Sequence, residues 1–466
     1  MNARGGQARV LGCGADPGRF YALRFVVVVD ADDRREVRGW SMYAWANHGW
    51  VTTVGTVLIG PWLLTLATHH GTDRTVLFRI GPLVLHADAY PSAVISTAAL
   101  LQLLVLPAIG AMADSARSPR RWVMAACLAG SAVAALLATS SGREWLYAGL
   151  LYLGGTVIFG ASDIVYNSFL PKIASPQRRD TVSSMGFAYG YTGAGVLLAI
   201  DLAFIDLHKA LGISRAAAVR GSFVSAGIWW AGFGVWALRR LRDRPPPARG
   251  SVGTPWQRLA QAVNMLRSLP FTRRYLAAYL LFADAISAVI SLSATFITHE
   301  LFHNSASAAS GFLFALILAI QFIAMGGSLL FGRIASVLGA KPTILIGIVV
   351  WCAIIAYAYG DLHTKADAVG VGIAIGVVLG GTQSLARSLY SQLVPTGLEA
   401  TFFGIFEVAN QGTSWIAPLL FTVVVDVTGS FRQAILSLMV LFVGGGLLLA
   451  ATKIGRPGGS SAEAAL

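Results

Sequence analysis

The string His299-Glu300-Leu301-Phe302-His303 has the H-E-x-x-H spacing. On a helix that spacing sets two zinc ligands on one face, with a carboxylate between them as general base. Intramembrane zinc proteolysis would be the chemistry, but no acidic third ligand stands in a suitable helix downstream. The chain carries no Walker loop, so residues for ATP-driven work are missing. Cys13, Cys127 and Cys352 are too few and too scattered for a disulfide framework or a cysteine-based zinc site. Four charged residues of another kind remain: Asp163, Asp284, Arg387 and Glu407 stand inside long apolar runs. A charge within hydrocarbon is costly, turns toward a cavity or a partner, and by default marks an ion or substrate pathway.

The elements that must position these charges are apolar helices. The chain has 466 residues, 55% apolar and only 12% charged, and its mean hydropathy is +0.65. Soluble domains carry about twice that charged fraction. A water-soluble exterior and a disordered chain are both excluded. About 20 apolar residues cross a bilayer, and twelve stretches meet that length: 40–68, 90–113, 121–140, 145–170, 182–206, 221–239, 274–299, 309–335, 342–360, 366–394, 401–425 and 431–452. Residues 20–29 are apolar but lack a small-residue cleavage pattern, so residues 1–39 read as a cytoplasmic tail, not a signal peptide. The organisation expected is a six-span bundle over 40–239, a cytoplasmic linker over 240–273, a second bundle over 274–452 and a tail over 453–466. Within the linker, Leu259, Val263 and Leu266 share one helical face and predict a short interfacial helix.

Loop charge gives the orientation. With both termini cytoplasmic, eight basic residues fall outside (Arg74, Arg79, Arg143, Lys209, Arg215, Arg220, Lys365 and Arg432) and the other 27 of the 35 inside. That is the positive-inside pattern. The net charge of +13 is therefore a topology signal, and its dispersal over many loops excludes a nucleic-acid patch.

Helix rise sets the depth of each charge. Asp284 sits about 15 Å into the seventh span, near the midplane, while Asn47, Asp163, Arg387 and Glu407 share a depth of roughly 9–12 Å from the cytoplasmic end. At a common depth Arg387 can pair with Glu407 or Asp163, either as an anion site or as a structural lock on the gate. Asp284 is a candidate carrier of a coupling proton, or else hydrogen-bonds locally to Ser287 or Ser291. Tyr43, Trp45, Tyr166, Asn167, Gln321 and Gln383, with Asn47, are candidate cavity-lining groups; interhelical packing is the alternative role.

The two halves repeat. Asp163-x-x-Tyr166 followed by Leu170-Pro171 returns as Arg387-x-x-Tyr390 followed by Val394-Pro395, and Gly110-Ala-Met-Ala-Asp114 returns as Gly332-Arg333-Ile-Ala without the acid. The Tyr43 and Tyr279 segments also correspond once a longer first outer loop is allowed for. Internal repeats of this kind are a signature of transporter folds. Gly110 would let helices approach closely, and Asp114 would accept charge-assisted hydrogen bonds or cap a neighbouring helix start, so the gate is expected to be asymmetric.

The loop Gly110-Ala-Met-Ala-Asp114-Ser-Ala-Arg117-Ser-Pro-Arg120-Arg121 resembles the signature between spans two and three of major facilitator transporters. Further pieces resemble one branch, the vacuolar amino-acid effluxers of autophagy and their bacterial relatives: Tyr43-Ala-Trp45-Ala-Asn47, Tyr166-Asn167-Ser-Phe-Leu-Pro171, Gly380-Gly381-Thr-Gln383-Ser-Leu-Ala-Arg387 and Phe402-Phe403-Gly404-Ile-Phe-Glu407. The family usually has an acid where this chain has Ala44, so that acid cannot carry protons here. The resemblance implies an all-α membrane fold of twelve helices in two pseudo-symmetric bundles, and a secondary transporter of a small solute, amino acids among the candidates, with export favoured. Proton coupling, a gate at Gly110, Asp114, Arg120, Arg121, Gly332 and Arg333, no cofactor, and partners limited to substrate, coupling ion and lipid complete the expectation. A zinc protease and a non-transporting sensor are its rivals.

Overall fold

The computed structural model describes residues 32–69, 75–80, 83–244, 254–303, 305–411 and 416–452. Helix α1 (Arg34–Trp50) passes through a π-helical stretch (Val51–Leu58) into α2 (Ile59–Ala67), and the three make one 34-residue span. The span starts at Arg34, not at residue 40, because Glu36 and Val37 are buried parts of the helix. Residues 1–31 and 453–466 lie outside the described residues. The loop between the first and second spans holds a hairpin that periodicity did not announce, β1 (Val76–Ile80) against β2 (Leu83–His86). Helices α3 (Tyr90–Asp114), α4 (Pro119–Leu137), α5 (Trp145–Asn167), the short α6 (Leu170–Ile173), α7 (Arg179–Asp206) and α8 (Arg215–Leu238) complete the first half.

The expected linker helix is α9 (Pro255–Ser268), opened by a capping box between Thr254 and Gln257. Its inward face is Arg258 and Ala262, whereas Val263 is exposed and Trp256 is 68% exposed. The second half comprises α10 (Pro270–Phe302), α11 (Ala306–Leu338), α12 (Ala340–Gly360), α13 (Lys365–Leu393), α14 (Glu399–Gln411), α15 (Ile416–Thr428), α16 (Phe431–Ser437) and α17 (Met439–Ala451). Eleven helices of the described residues are long and apolar enough to cross a membrane. The expected span 401–425 is instead divided between α14 and α15, with 412–415 outside the described residues, and so does not count as one long helix.

Helix α1 packs on α7 and α8, α4 on α5 and α8, and α3 on α5; in the second half α11 packs on α13, α10 on α17, and α12 on α13 and α17. These contacts gather the helices into two bundles, each with buried tryptophans such as Trp40, Trp50 and Trp230 in the first and Trp351 in the second. Leu104, Ile228, Val349 and Leu447, each about two-thirds exposed or more, are the outward apolar surface that a lipid phase would cover. Serine and threonine caps start several helices, among them Ser118 on α4, Ser214 on α8 and Thr364 on α13.

The connection that leaves the first bundle folds back onto its own beginning. Arg244 donates through Nη1 and Nη2 to the two carboxylate oxygens of Glu36 (3.2 and 2.6 Å), and the Arg242 amide donates to Oε1 at 2.8 Å. Glu36 is 1% exposed. Removing one member of a buried ion pair strands the other, at about 3 kcal/mol. Glu36→Ala is therefore expected to lower the thermal unfolding temperature of the purified protein by several degrees, and Glu36→Ala with Arg244→Ala to lose less than the sum of the single changes.

Candidate functional site

Helix α13 ends at Leu393, and the segment Pro395-Thr-Gly397 turns the chain, with Gly397 at φ 92. Helix α14 then restarts with its first amides turned toward the other bundle. There the Asp114 carboxylate, at the end of α3, accepts from the Ala400 amide (2.9 Å), the Thr401 amide (2.8 Å) and the Thr401 hydroxyl (2.6 Å). Orphan donors at a helix start thus find a charged acceptor, 7% exposed, on a different bundle. The approach is tight. A methyl group on Gly110 would collide with the Ala400 carbonyl, and one on Gly404 would lie 2.9 Å from Pro107 Cα. Beside this crossing Lys172 pairs with Glu399 at 3.4 Å, and a cavity of about 150 Å³ opens between α3, α5, Arg244 and the start of α14.

The rest of the signature loop serves the linker. Asp243 accepts from the Arg120 amide at 3.0 Å and from Ser118 Oγ at 2.6 Å, and pairs with the Arg120 guanidinium at 3.5 Å. Arg121 and Arg333 are exposed. In the second copy Gly332 lies against Ser184 of α7, and the acid there comes from α7 itself: Asp180 accepts from Ser388 at 2.5 Å and from Gln392 at 3.5 Å. The first copy thus carries an acid that reaches a neighbouring helix start, and the second is packed closely on α7 without one.

Deeper in, Arg387 of α13 reaches into the first bundle. Nε donates to Ser183 Oγ (3.0 Å), Nη2 to the Ser183 carbonyl (2.9 Å) and Nη1 to Asn167 Oδ1 (3.1 Å). Its guanidinium lies 4.3 Å from the Phe187 ring centroid and 4.7 Å from that of Trp40, within cation–π range. Asn167 Nδ2 in turn donates to Asp163 Oδ2 at 2.7 Å, and Asn47 Nδ2 to Oδ1 at 3.5 Å. The direct ion pair expected of Arg387 with Asp163 or Glu407 does not form; Asn167 stands between Arg387 and Asp163. Glu407 accepts from Asn410, whose Oδ1 accepts from the Tyr279 hydroxyl.

The other lining candidates divide. Gln383 accepts from the Tyr191 hydroxyl across the bundle boundary at 2.7 Å, and Gln321 donates to Thr52 at 3.3 Å. Gln383 also borders a cavity of only about 10 Å³, the space of one water, inside the second bundle between α10, α13 and α14. Tyr43 and Tyr166 are packed inside the first bundle, Tyr43 bonded to Ser162 and Tyr166 stacked on Trp40. Trp45 stacks on Trp229 of α8 and turns away from Arg387 and Asp163. Two positions along a helix from Asn47, it lies on nearly the opposite side.

Asp284, 1% exposed, uses neither local serine. Its Oδ2 accepts from the Ala417 amide at the start of α15 (3.0 Å), and its Oδ1 has no hydrogen-bond partner. The zinc motif dissolves in the fold. Helix α10 stops at Phe302, His303 takes a left-handed conformation, and Glu300 is held by Arg432 at 2.8 Å. Among the described residues no cluster of histidine, cysteine and carboxylates stands ready for a metal.

A family model described as vacuole effluxer Atg22-like matches residues 32–457. The chain belongs to that family. It is 26% identical to YxiO, an MFS-type transporter of Bacillus subtilis, over 89% of this chain and 94% of the relative. It is 25% identical to autophagy-related protein 22-1 of Phaeosphaeria nodorum, over 75% of this chain and 73% of that one. The E. coli fucose:proton symporter FucP superposes at a TM-score of 0.64 with 13% identity, covering 91% of this chain and 98% of FucP. The fold of this Atg22-like chain is thus the all-α major facilitator fold, and the protein is a multi-pass membrane transporter, not an enzyme.

Sequence reading of this Atg22-like chain missed Asp180, Ser183 and Glu399, all near the starts of α7 and α14. A polar residue in the first turn after a Pro- or Gly-containing loop is a signal for that role, since it stands where free amides gather. Bulk at the α3–α14 crossing should force that end apart. In Gly110→Val, a cysteine introduced beside the crossing is expected to react with a water-soluble maleimide about tenfold faster than in the parent, the change that about 1.4 kcal/mol of lost closure produces.

Proposed function

We propose that this transporter exports a small solute, amino acids foremost, across the cytoplasmic membrane by alternating access, driven by protons. Both termini then lie in the cytoplasm, and the Asp114 end faces it. The observation that carries the reading is the placement of the bundle-to-bundle bonds. They run from Asp114–Ala400 at one end to Gln321–Thr52 near mid-membrane, which is the arrangement of a gate closed on one side of a polar centre. The positive-inside charge pattern supports calling that side cytoplasmic. The Atg22-like family description supports efflux, and the resemblance to vacuolar amino-acid effluxers supports the substrate class.

Asp284 and Glu407 are the acids proposed to carry the coupling proton. Asp284 suits the role because it is buried in mid-helix, with one oxygen anchoring α15 and the other without a hydrogen-bond partner. Substrate would bind among Asn47, Gln383, Arg387 and Glu407, where both bundles contribute polar groups.

Two measurements test this. A thermal-shift screen of purified protein against amino acids, peptides and sugars should raise the melting temperature with the true substrate, because a ligand of the folded state stabilises it by mass action. Flux of that substrate into proteoliposomes should respond to an imposed proton gradient, and Asp284→Asn should abolish the response. Gradient dependence that survives in Asp284→Asn removes Asp284 from the coupling path.

A further inference from the structure

The hydrogen bonds and cation–π contacts of Arg387 are made with the opposite bundle. It belongs to α13, yet its hydrogen-bond acceptors are Asn167 at the end of α5 and Ser183 in α7, and the rings against it are Trp40 and Phe187. With 4% exposure it is a cation seated in a socket of neutral groups. A guanidinium in that setting needs an anion close by. The first bundle supplies one at second hand: Asp163 holds the Asn167 amide by its nitrogen at 2.7 Å, which leaves the amide oxygen aimed at Arg387. One amide therefore spans a carboxylate and a guanidinium, and each end polarises the other.

We infer that Asp163 and Asn167 form a proton-readable socket for Arg387, in which the charge on Asp163 decides whether the two bundles stay joined. An ionised Asp163 fixes the amide and supplies the counter-charge, so Arg387 stays seated. A proton on either carboxylate oxygen removes that charge and turns one acceptor into a donor. The amide is then free to turn, and the socket becomes neutral.

The charged and titratable groups around the socket come from several helices. Facing Asp163 are Arg387 of α13, Glu407 of α14, Tyr279 of α10, Tyr43 of α1 and Tyr166 of its own helix, and facing Arg387 are also His48 of α1 and Tyr191 of α7. The one other acid, Glu407, belongs to the same bundle as Arg387 and moves with it. Protonating Asp163 therefore removes the opposite bundle's charge from beside Arg387 and leaves the charge of Arg387's own bundle unchanged. A cation seated or released according to one carboxylate's charge is the kind of two-state element that alternating access requires.

This inference rests on the transport reading above and gives it a direction. With the locked end cytoplasmic, Asp163 is a proton site on the gate in addition to the coupling acids proposed above: a proton it takes up from outside opens the cytoplasmic side, where it is released as Asp163 ionises again. A proton moves in for each return of the carrier, which is proton–solute antiport. No bond other than the O–H bond is made or broken.

The test reads conformation and flux separately. Spin labels are placed on cysteines substituted for Arg117, exposed after α3, and Val337, 83% exposed at the end of α11, with Cys13, Cys127 and Cys352 replaced by alanine, in lipid nanodiscs. Lowering pH should convert a short interlabel distance into a longer one. Asp163→Asn should show the long distance at every pH, its locked fraction down about tenfold, the effect of one lost charge-assisted hydrogen bond. Asp163→Glu should restore the pH response. Asn167→Leu should abolish the response with Asp163 intact, a result that simple loss of packing would not give. Wild-type distances and pH response in Asp163→Asn, or in Asn167→Leu, overturn the socket. Flux assays on the same variants keep the two readings apart: pH-dependent distances without solute flux leave the socket standing and sink the transport assignment, whereas proton-driven flux with pH-insensitive distances does the reverse.

Discussion

A helix that begins within or beside a membrane presents amides that must find acceptors, and water is scarce there. At the start of α14 the acceptor is a carboxylate from the other bundle, Asp114. Much else at that end follows from this bond. Gly110 and Gly404 are bare because α3 and α14 must cross closely enough for the carboxylate to reach. Lys172 and Glu399 pair because the crossing brings their helices together. The bond also suits a gate, since opening that end admits water, which can replace both the donor and the acceptor. A contact that water can substitute is strong when dry and inexpensive to break when wet.

The internal repeat explains why charges meet at the centre. Asp163 and Arg387 occupy corresponding positions on α5 and α13, each three residues before a tyrosine, Tyr166 or Tyr390, that packs into its own bundle's aromatic core. Pseudo-symmetry brings corresponding positions to the same depth and toward the same axis, so one substitution pattern yields an acid on one side and a base on the other. Symmetry stops at the loops. The first copy closes through Asp114 on the start of α14, whereas the second sets Gly332 against Ser184 of α7, whose Asp180 binds Ser388 of α13. Two gates that share a backbone plan can therefore respond differently to the same proton or solute.

The all-α membrane fold and the linker helix were legible in the sequence, because hydropathy and helical periodicity report them; of the twelve spans read there, eleven are long apolar helices among the described residues and one is divided. Azimuth was not legible. A helix apolar on nearly every side gives no hydrophobic stripe from which to read its facing, so Trp45 and Asn47 looked alike although one meets α8 and the other Asp163. Asn167 was visible only as a polar residue in the right span; its role depends on which two charges lie at its ends, and that is a tertiary fact. The divided eleventh span escaped for a similar reason, since its hydropathy continues across the point where α14 gives way to α15.

That divided span gives the two membrane acids distinct mechanical roles. Each of its halves begins on a carboxylate from another helix: α14 on Asp114 of the first bundle, α15 on Asp284 of the second. When the bundles separate, the bond to Asp114 breaks and the bond to Asp284 travels with the helix. A change of charge at Asp114 therefore acts on the interface itself. A change at Asp284 acts on the shape of the eleventh span, because it weakens the anchor of α15 without touching the opposite bundle. In the first bundle Asp163 is the acid facing Arg387, and the bridging Asn167 amide couples the two charges across the interface. The molecule thus separates joining the bundles, through Asp114 and Arg387, from reshaping one of them, through Asp284, and a proton at either location has a different mechanical consequence.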